Sequence, residues 1–249
     1  MAWVETHSLS FAARHDSREA DAAMGVLDAL ESFRDRLAGR FERTPGEVSV
    51  VIHPRPLQLA LAHPWLPLAR MVAAPASRRY FAGWFASGEI HVLGPAALAA
   101  RASGVAGSRE ALLLSPQHEY AHLVVGANNA ALPPPFNPRT FRRYVRRAWL
   151  CEGAATYLAG QTPHLRGAIA RRLREGKPPA FPPSAADAQL LGATVFALLE
   201  ERVGPEACVA LASSSGDAGD GALIERAFGR PAAEAARDWR AHLDSYTAA

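Results

Sequence analysis

The residues best equipped for chemistry are His118, Glu119 and His122, within the stretch Gln117-His118-Glu119-Tyr120-Ala121-His122. On a helix, side chains four apart share one face, so the two imidazoles can hold one metal ion between them. Glu119 is displaced from His118 by about 100° around the same helix. It can therefore reach a water on the open side of a metal without being a ligand. The pattern is that of a zinc site carrying its own general base. The plain alternative is a helix with two surface histidines beside a glutamate.

A catalytic zinc takes three protein ligands and leaves one position open, so one ligand remains to be found. Glu152 stands 30 positions (152 − 122) beyond His122, in Trp149-Leu150-Cys151-Glu152-Gly153-Ala154-Ala155-Thr156-Tyr157. Its helical pattern is rich in small residues, and Gly153, Ala154 and Ala155 predict close packing on the first helix. Glu152 can equally serve only to favour a helix N-terminus electrostatically. Cys151, one helix position away, is expected to point elsewhere.

These two stretches together resemble the gluzincin metallopeptidases, most closely the aminopeptidase-N-like and peptidase-MA-like branches beside the thermolysin-like one. The resemblance is concentrated in residues 108–160. It implies zinc ligation by His118, His122 and Glu152, with Glu119 as the base that activates water for peptide-bond hydrolysis. It also implies an aspartate, one turn after the glutamate ligand, that holds a ligand histidine; Thr156 occupies that place here. A tyrosine or histidine that stabilises the oxyanion is implied as well. Gln189 stands where many peptidase-MA-like chains carry that tyrosine, and Tyr157 is the tyrosine nearest the metal motif in sequence. His164, Tyr144 and Arg142 are further candidates. The amine-holding Gly-x-Met-Glu-Asn motif of aminopeptidases has no counterpart at Ser87-Gly88-Glu89-Ile90-His91. Cleavage within a peptide is therefore expected, and Glu89 is expected to be an ordinary strand residue. The second functional expectation is a zinc-bearing regulatory or interaction module with little or no proteolytic activity.

The chain that must position these groups has 249 residues, 49% hydrophobic and 20% charged, enough to bury a substantial core. A net charge of +3 is too small to argue for nucleic acid. Two cysteines, Cys151 and Cys208, make no disulfide framework. The sequence has no leader-like start and no apolar run long enough to span a membrane. A cytoplasmic protein acting on a peptide or protein substrate is the expectation, with oligomeric state undetermined.

Alternation over residues 7–13 predicts a strand, and Asp16 with Glu19 predicts a helix start of capping-box type. Met24, Leu27, Leu30, Phe33, Leu37 and Phe41 then recur at helical spacing. Val48–Ile52 predicts a second strand, with His53 at its end. Residues 53–80 are expected to be irregular. Residues 84–93 predict a strand or hairpin which, by the resemblance, forms the sheet edge beside the cleft. The metal helix is expected to start near Ser115-Pro116 and run to about Gly126, followed by a proline-rich loop. Arg139, Arg142, Arg143, Arg146 and Arg147 form either a solvated helix face or, if that helix borders the cleft, a preference for acidic side chains. Beyond Glu152 the patterns are helical, including one over 185–203. The fold class expected is α+β and gluzincin-like. A small mixed N-terminal sheet with helices (1–127) precedes a helical C-terminal lobe (128–249), with the zinc cleft between them.

Overall fold

The computed structural model describes residues 2–63, 70–71, 73–175, 177–216 and 218–247. Five strands, β1 Trp3–His7, β2 Phe11–Asp16, β3 Val48–His53, β4 Gly83–Ala86 and β5 Glu89–Leu93, pair in the order β1-β2-β3-β5-β4. The β2–β3 and β3–β5 pairs are parallel, and the two outer pairs are antiparallel. β3 lies at the centre, where both faces are covered, which explains its unbroken Val-x-Val-Val-Ile text. The fold is mixed α and β, and every element after residue 128 is helical among the described residues.

Helix α1 (Ala20–Ala38) crosses from β2 to β3 and buries Ala23, Val26, Leu27, Leu30, Phe33 and Leu37. At about 1.5–3 kcal/mol for each large apolar side chain, that stripe outweighs differences in helix propensity. Met24 lies one position off the stripe and is 44% exposed, which corrects its expected place in the core. The capping box does not form either. Asp16 caps a short 3-10 turn, Ser17–Glu19, by accepting from the Arg18 N–H, and Glu19 makes no cap bond. Residues 7–13 are not one strand. They contain the turn of the β1–β2 hairpin, where Ser8 N donates to Phe11 O at 2.9 Å. Within residues 53–80, α2 (Pro56–Ala62) and the turn Arg78–Tyr80 are regular, while residues 64–69 and 72 lie outside the described set.

Helices α3 (Pro95–Arg101) and α4 (Ser108–Leu113) lead into α5 (Ser115–Asn128), which carries the histidine pair. Residues 115–126 of α5 are all buried, between α1, strands β4 and β5, and α7 (Ala148–Leu158). Its Tyr120 lies edge-on to Phe11 and Phe33, and the hydroxyl donates to Pro45 O at 2.7 Å. That bond and two ring contacts fix the helix's rotation, and so the direction of His118 and His122. The remaining helices are α6 (Pro138–Arg146), α8 (Arg166–Arg174), α9 (Ala188–Arg202), α10 (Pro205–Ala212), α11 (Asp220–Phe228) and α12 (Ala232–Thr247). One buried apolar cluster runs from Val50 and Ile90 in the sheet through Leu150 and Val195 to Trp239 in α12.

Candidate metal centre

Three side chains from two packed helices converge. His118 Nε2 and His122 Nε2 are 3.1 Å apart, and the Glu152 carboxylate approaches them at 3.3 and 3.6 Å. Ligand atoms on a tetrahedral ion with bonds of about 2.1 Å stand about 3.4 Å apart. Glu152 presents a different oxygen to each ring, and one atom from each residue lies within 4.8 Å of the others, so the set is compatible with one small cation such as zinc. All three residues are at most 5% exposed. Among the described residues they are the one group of His, Cys, Asp and Glu close enough for this. Glu152 lies in the middle of α7 rather than at its opening, so it is helix crossing and not a helix terminus that brings it in.

The protonation states suit a cation. Burial lowers the His122 pKa to about 3, so the ring is neutral and its Nε2 lone pair is available. Burial pushes the Glu152 carboxyl up, but His122, His118 and the Tyr144 hydroxyl outweigh it and hold it at about 2. For His118, burial opposes the charged ring, and the hydrogen bond and charge of Glu152, with Glu119, raise its pKa. Without a metal, His118 thus retains a proton against Glu152. Cation binding must release it, so affinity falls as pH falls.

With a cation held by both Nε2 atoms, each ring would carry its proton on Nδ1. His118 donates there to Gln161 Oε1 at 3.0 Å, with the Thr156 hydroxyl further off at 3.4 Å. Gln161 is itself held by its Nε2 donating to Ala111 O at 2.7 Å, beyond a turn that needs Gly160 at φ 74°. The His122 Nδ1 faces Cys151 Sγ at 3.4 Å, which corrects the expectation that this cysteine points away. Outer contacts of this kind orient ligand rings, and their loss typically lowers metal affinity about 10–100-fold. Gln161→Leu is expected to weaken zinc binding by such a factor, measured by competition with a chelating dye. Unchanged affinity would remove Gln161 from the site.

Glu119 is buried beside the triad and lines the same cleft as Tyr80, Phe81, Gly83, Trp84, Phe85, His118, His122, Tyr144, Glu152 and Gln189. Burial first, then repulsion from Glu152, raises its pKa to about 8 against the pull of His118. Gly83 on the edge strand gives it room. A Cβ there would stand 2.4 Å from Glu119 Oε1 and 2.6 Å from its Cγ. Tyr144 donates to Glu152 Oε1 at 2.6 Å, and burial keeps its hydroxyl protonated. Gln189 reaches the cleft from the first turn of α9. Tyr157 does not line it. Its ring stacks on Phe196 at 5.6 Å, in a groove further along α7.

The arginines also lie apart. Arg139, Arg142, Arg143 and Arg146 form one stripe on α6 with a shallow surface of their own. Tyr144 points roughly 150° away from that stripe, and it is the side that meets the cleft. Glu89 accepts from His91 Nε2 at 2.6 Å as an ordinary strand neighbour, and His91 Nδ1 is 2.9 Å from Nε2 of the strand-end His53.

Comparison with protein-family models, curated proteins and solved structures gave no match. The case for function therefore rests on the site itself. Sequence reasoning missed Gly83 and Gln161. Gly83 precedes the strand text by one residue, and Gln161 follows a helix-ending glycine, so neither stands at a spacing that marks chemistry. Residues 84–93 do contain the hairpin of β4 and β5, and β4 is the sheet edge packed on α5.

Proposed function

We propose that this chain is a zinc-dependent peptidase of gluzincin type, acting within peptide chains. The observation that carries the reading is the convergence of His118, His122 and Glu152, one potential ligand atom from each within 4.8 Å of the others, with Glu119 lining the same cleft. A bound zinc ion supplies a water acidified towards about pH 7 and positive charge for a developing oxyanion. With zinc held by His118, His122 and Glu152, Glu119 would be the carboxylate placed to accept a proton from such a water and return it to the leaving nitrogen. Tyr144 and Gln189 are two of the neutral donors lining the cleft, with Tyr80 and Trp84, and such a donor can hold the oxygen of a tetrahedral species. The edge strand β4 offers free backbone groups along which an extended peptide can pair. No amine-anchoring carboxylate stands there, which favours internal cleavage.

A second reading, a zinc-bearing module with little or no proteolytic activity, is favoured by one feature. The cleft encloses only about 30 Å³, room for a metal and a water but not for a peptide. Turnover then requires the aromatic rim of Tyr80, Phe81, Trp84 and Tyr144 to move outward.

The two readings separate on purified protein. One equivalent of zinc by metal analysis, with cleavage of amino-blocked peptides, is expected for the peptidase. Zinc without cleavage of any peptide in a mixed panel assigns the module. Cleavage confined to free-amine peptides overturns the internal-cleavage assignment.

A further inference from the structure

A cavity larger than the metal cleft lies elsewhere. A groove of about 500 Å³ opens between the C-terminal halves of α7 and α9, the turn after α7, and the ends of α1 and α12. Its walls are the rings of Tyr157 and Tyr246 with Leu158 and Ala197, and its cations are Arg40 and Arg166. That volume lies in the range of small-molecule sites, which are apolar clefts with a few placed polar groups.

Three observations point to an anion. Arg166 lies over the Tyr246 ring at 4.9 Å and donates one N–H to Ser245 O at 2.8 Å, so a planar cation is held at the groove mouth. Arg40 comes from a distant element and donates to Pro205 O at 3.3 Å. Both are held by neutral groups rather than carboxylates, and Glu200 is the one acidic residue lining the groove. Thr162, 9% exposed, carries a hydroxyl with no hydrogen-bond partner among the described residues. A buried hydroxyl left unsatisfied is destabilising, and a ligand oxygen or its bound water can relieve that.

We propose that this groove binds a small organic anion, its carboxylate or phosphate between Arg166 and Arg40 and its apolar body on Tyr157 and Tyr246. The guanidinium fork matches both oxyanions, and the ring walls demand an apolar body as well as a charge.

Calorimetric titration of the full chain tests this with four probes: benzoate, phenyl phosphate, inorganic phosphate and benzyl alcohol. Saturable binding is expected for benzoate or phenyl phosphate, whichever head group the site prefers. Inorganic phosphate and benzyl alcohol are each expected to bind more weakly than the organic anion. Arg166→Ala and Arg40→Ala, on different elements and each checked for an unchanged melting profile, are expected to weaken that binding about tenfold. Equal affinity for benzyl alcohol overturns the anion assignment, and equal affinity for inorganic phosphate overturns the apolar one. Binding unaffected by both substitutions means that the probe sits elsewhere, the metal centre included. No saturable binding at millimolar probe overturns the site outright.

Discussion

Glu119→Gln is expected to lower peptide hydrolysis about 10²–10⁴-fold while the protein keeps one equivalent of zinc. Glutamine preserves the volume of the buried side chain beside Gly83, so the fold and the ligand triangle are left in place. It removes the one group in the cleft that can take a proton from water without being a ligand. His118 and His122 face the ligand centre, and the Tyr144 hydroxyl stays protonated. The test pairs kcat/KM on a blocked peptide with metal analysis of the same preparation. Loss of zinc together with activity would make Glu119 a ligand. Retained activity would require another base, which the cleft does not contain.

Gly192→Ala is expected to destabilise the protein, although glycine to alanine inside an open helix gains about 1 kcal/mol. The sign reverses because α7 and α9 cross in backbone contact. A Cβ on Gly192 would stand 2.6 Å from Trp149 O and 2.8 Å from Gly153 Cα, and one on Gly153 would meet the Gly192 carbonyl carbon at 2.6 Å. Neither clash involves a side chain able to swing aside, so the helices must separate. Overpacking of this kind costs about 1–3 kcal/mol, and Gly192→Val is expected at or above the upper end. That corresponds to a fall of roughly 6–12 °C in Tm for a chain of this size. Because Glu152 is the neighbour of Gly153, zinc affinity should fall in the same variants. A Gly192→Ala protein that melts higher than wild type would show that the helices do not cross there.

That crossing also marks the limit of what local sequence conveys. The small residues after Glu152 announce a close approach, but they do not name the partner. The expected packing of α7 on the histidine helix does form, but Gly153 makes its close approach to α9. Periodicity placed Leu27, Leu30, Phe33 and Leu37 in the core correctly, since a helix's buried stripe depends only on 3.6-residue spacing. It erred at Met24, because which edge of a stripe is covered depends on what lies across from it. The short alternation at residues 7–13 concealed a turn, since a hairpin's alternation continues through it with little change.

At the site the division follows the same physics. The i, i+4 histidines and the glutamate between them fix a shared helix face from sequence alone, because helical geometry is local. Glu152 could be named from sequence as the third candidate ligand, but its distance from the histidines depends on how α7 lies against α5. The groups that tune the site were hidden for the same reason. Gln161 reaches His118 across 43 residues and Tyr144 reaches Glu152 from a separate helix, while Gly83 makes room for Glu119 from the sheet edge. Tyr157, five residues beyond Glu152 on the same helix, turned out to face another groove. Sequence by itself determined which residues share one face of the histidine helix. Tertiary structure alone decided which donors and hydrogen-bond partners meet them, because those contacts are made between elements, where spacing along the chain carries no information.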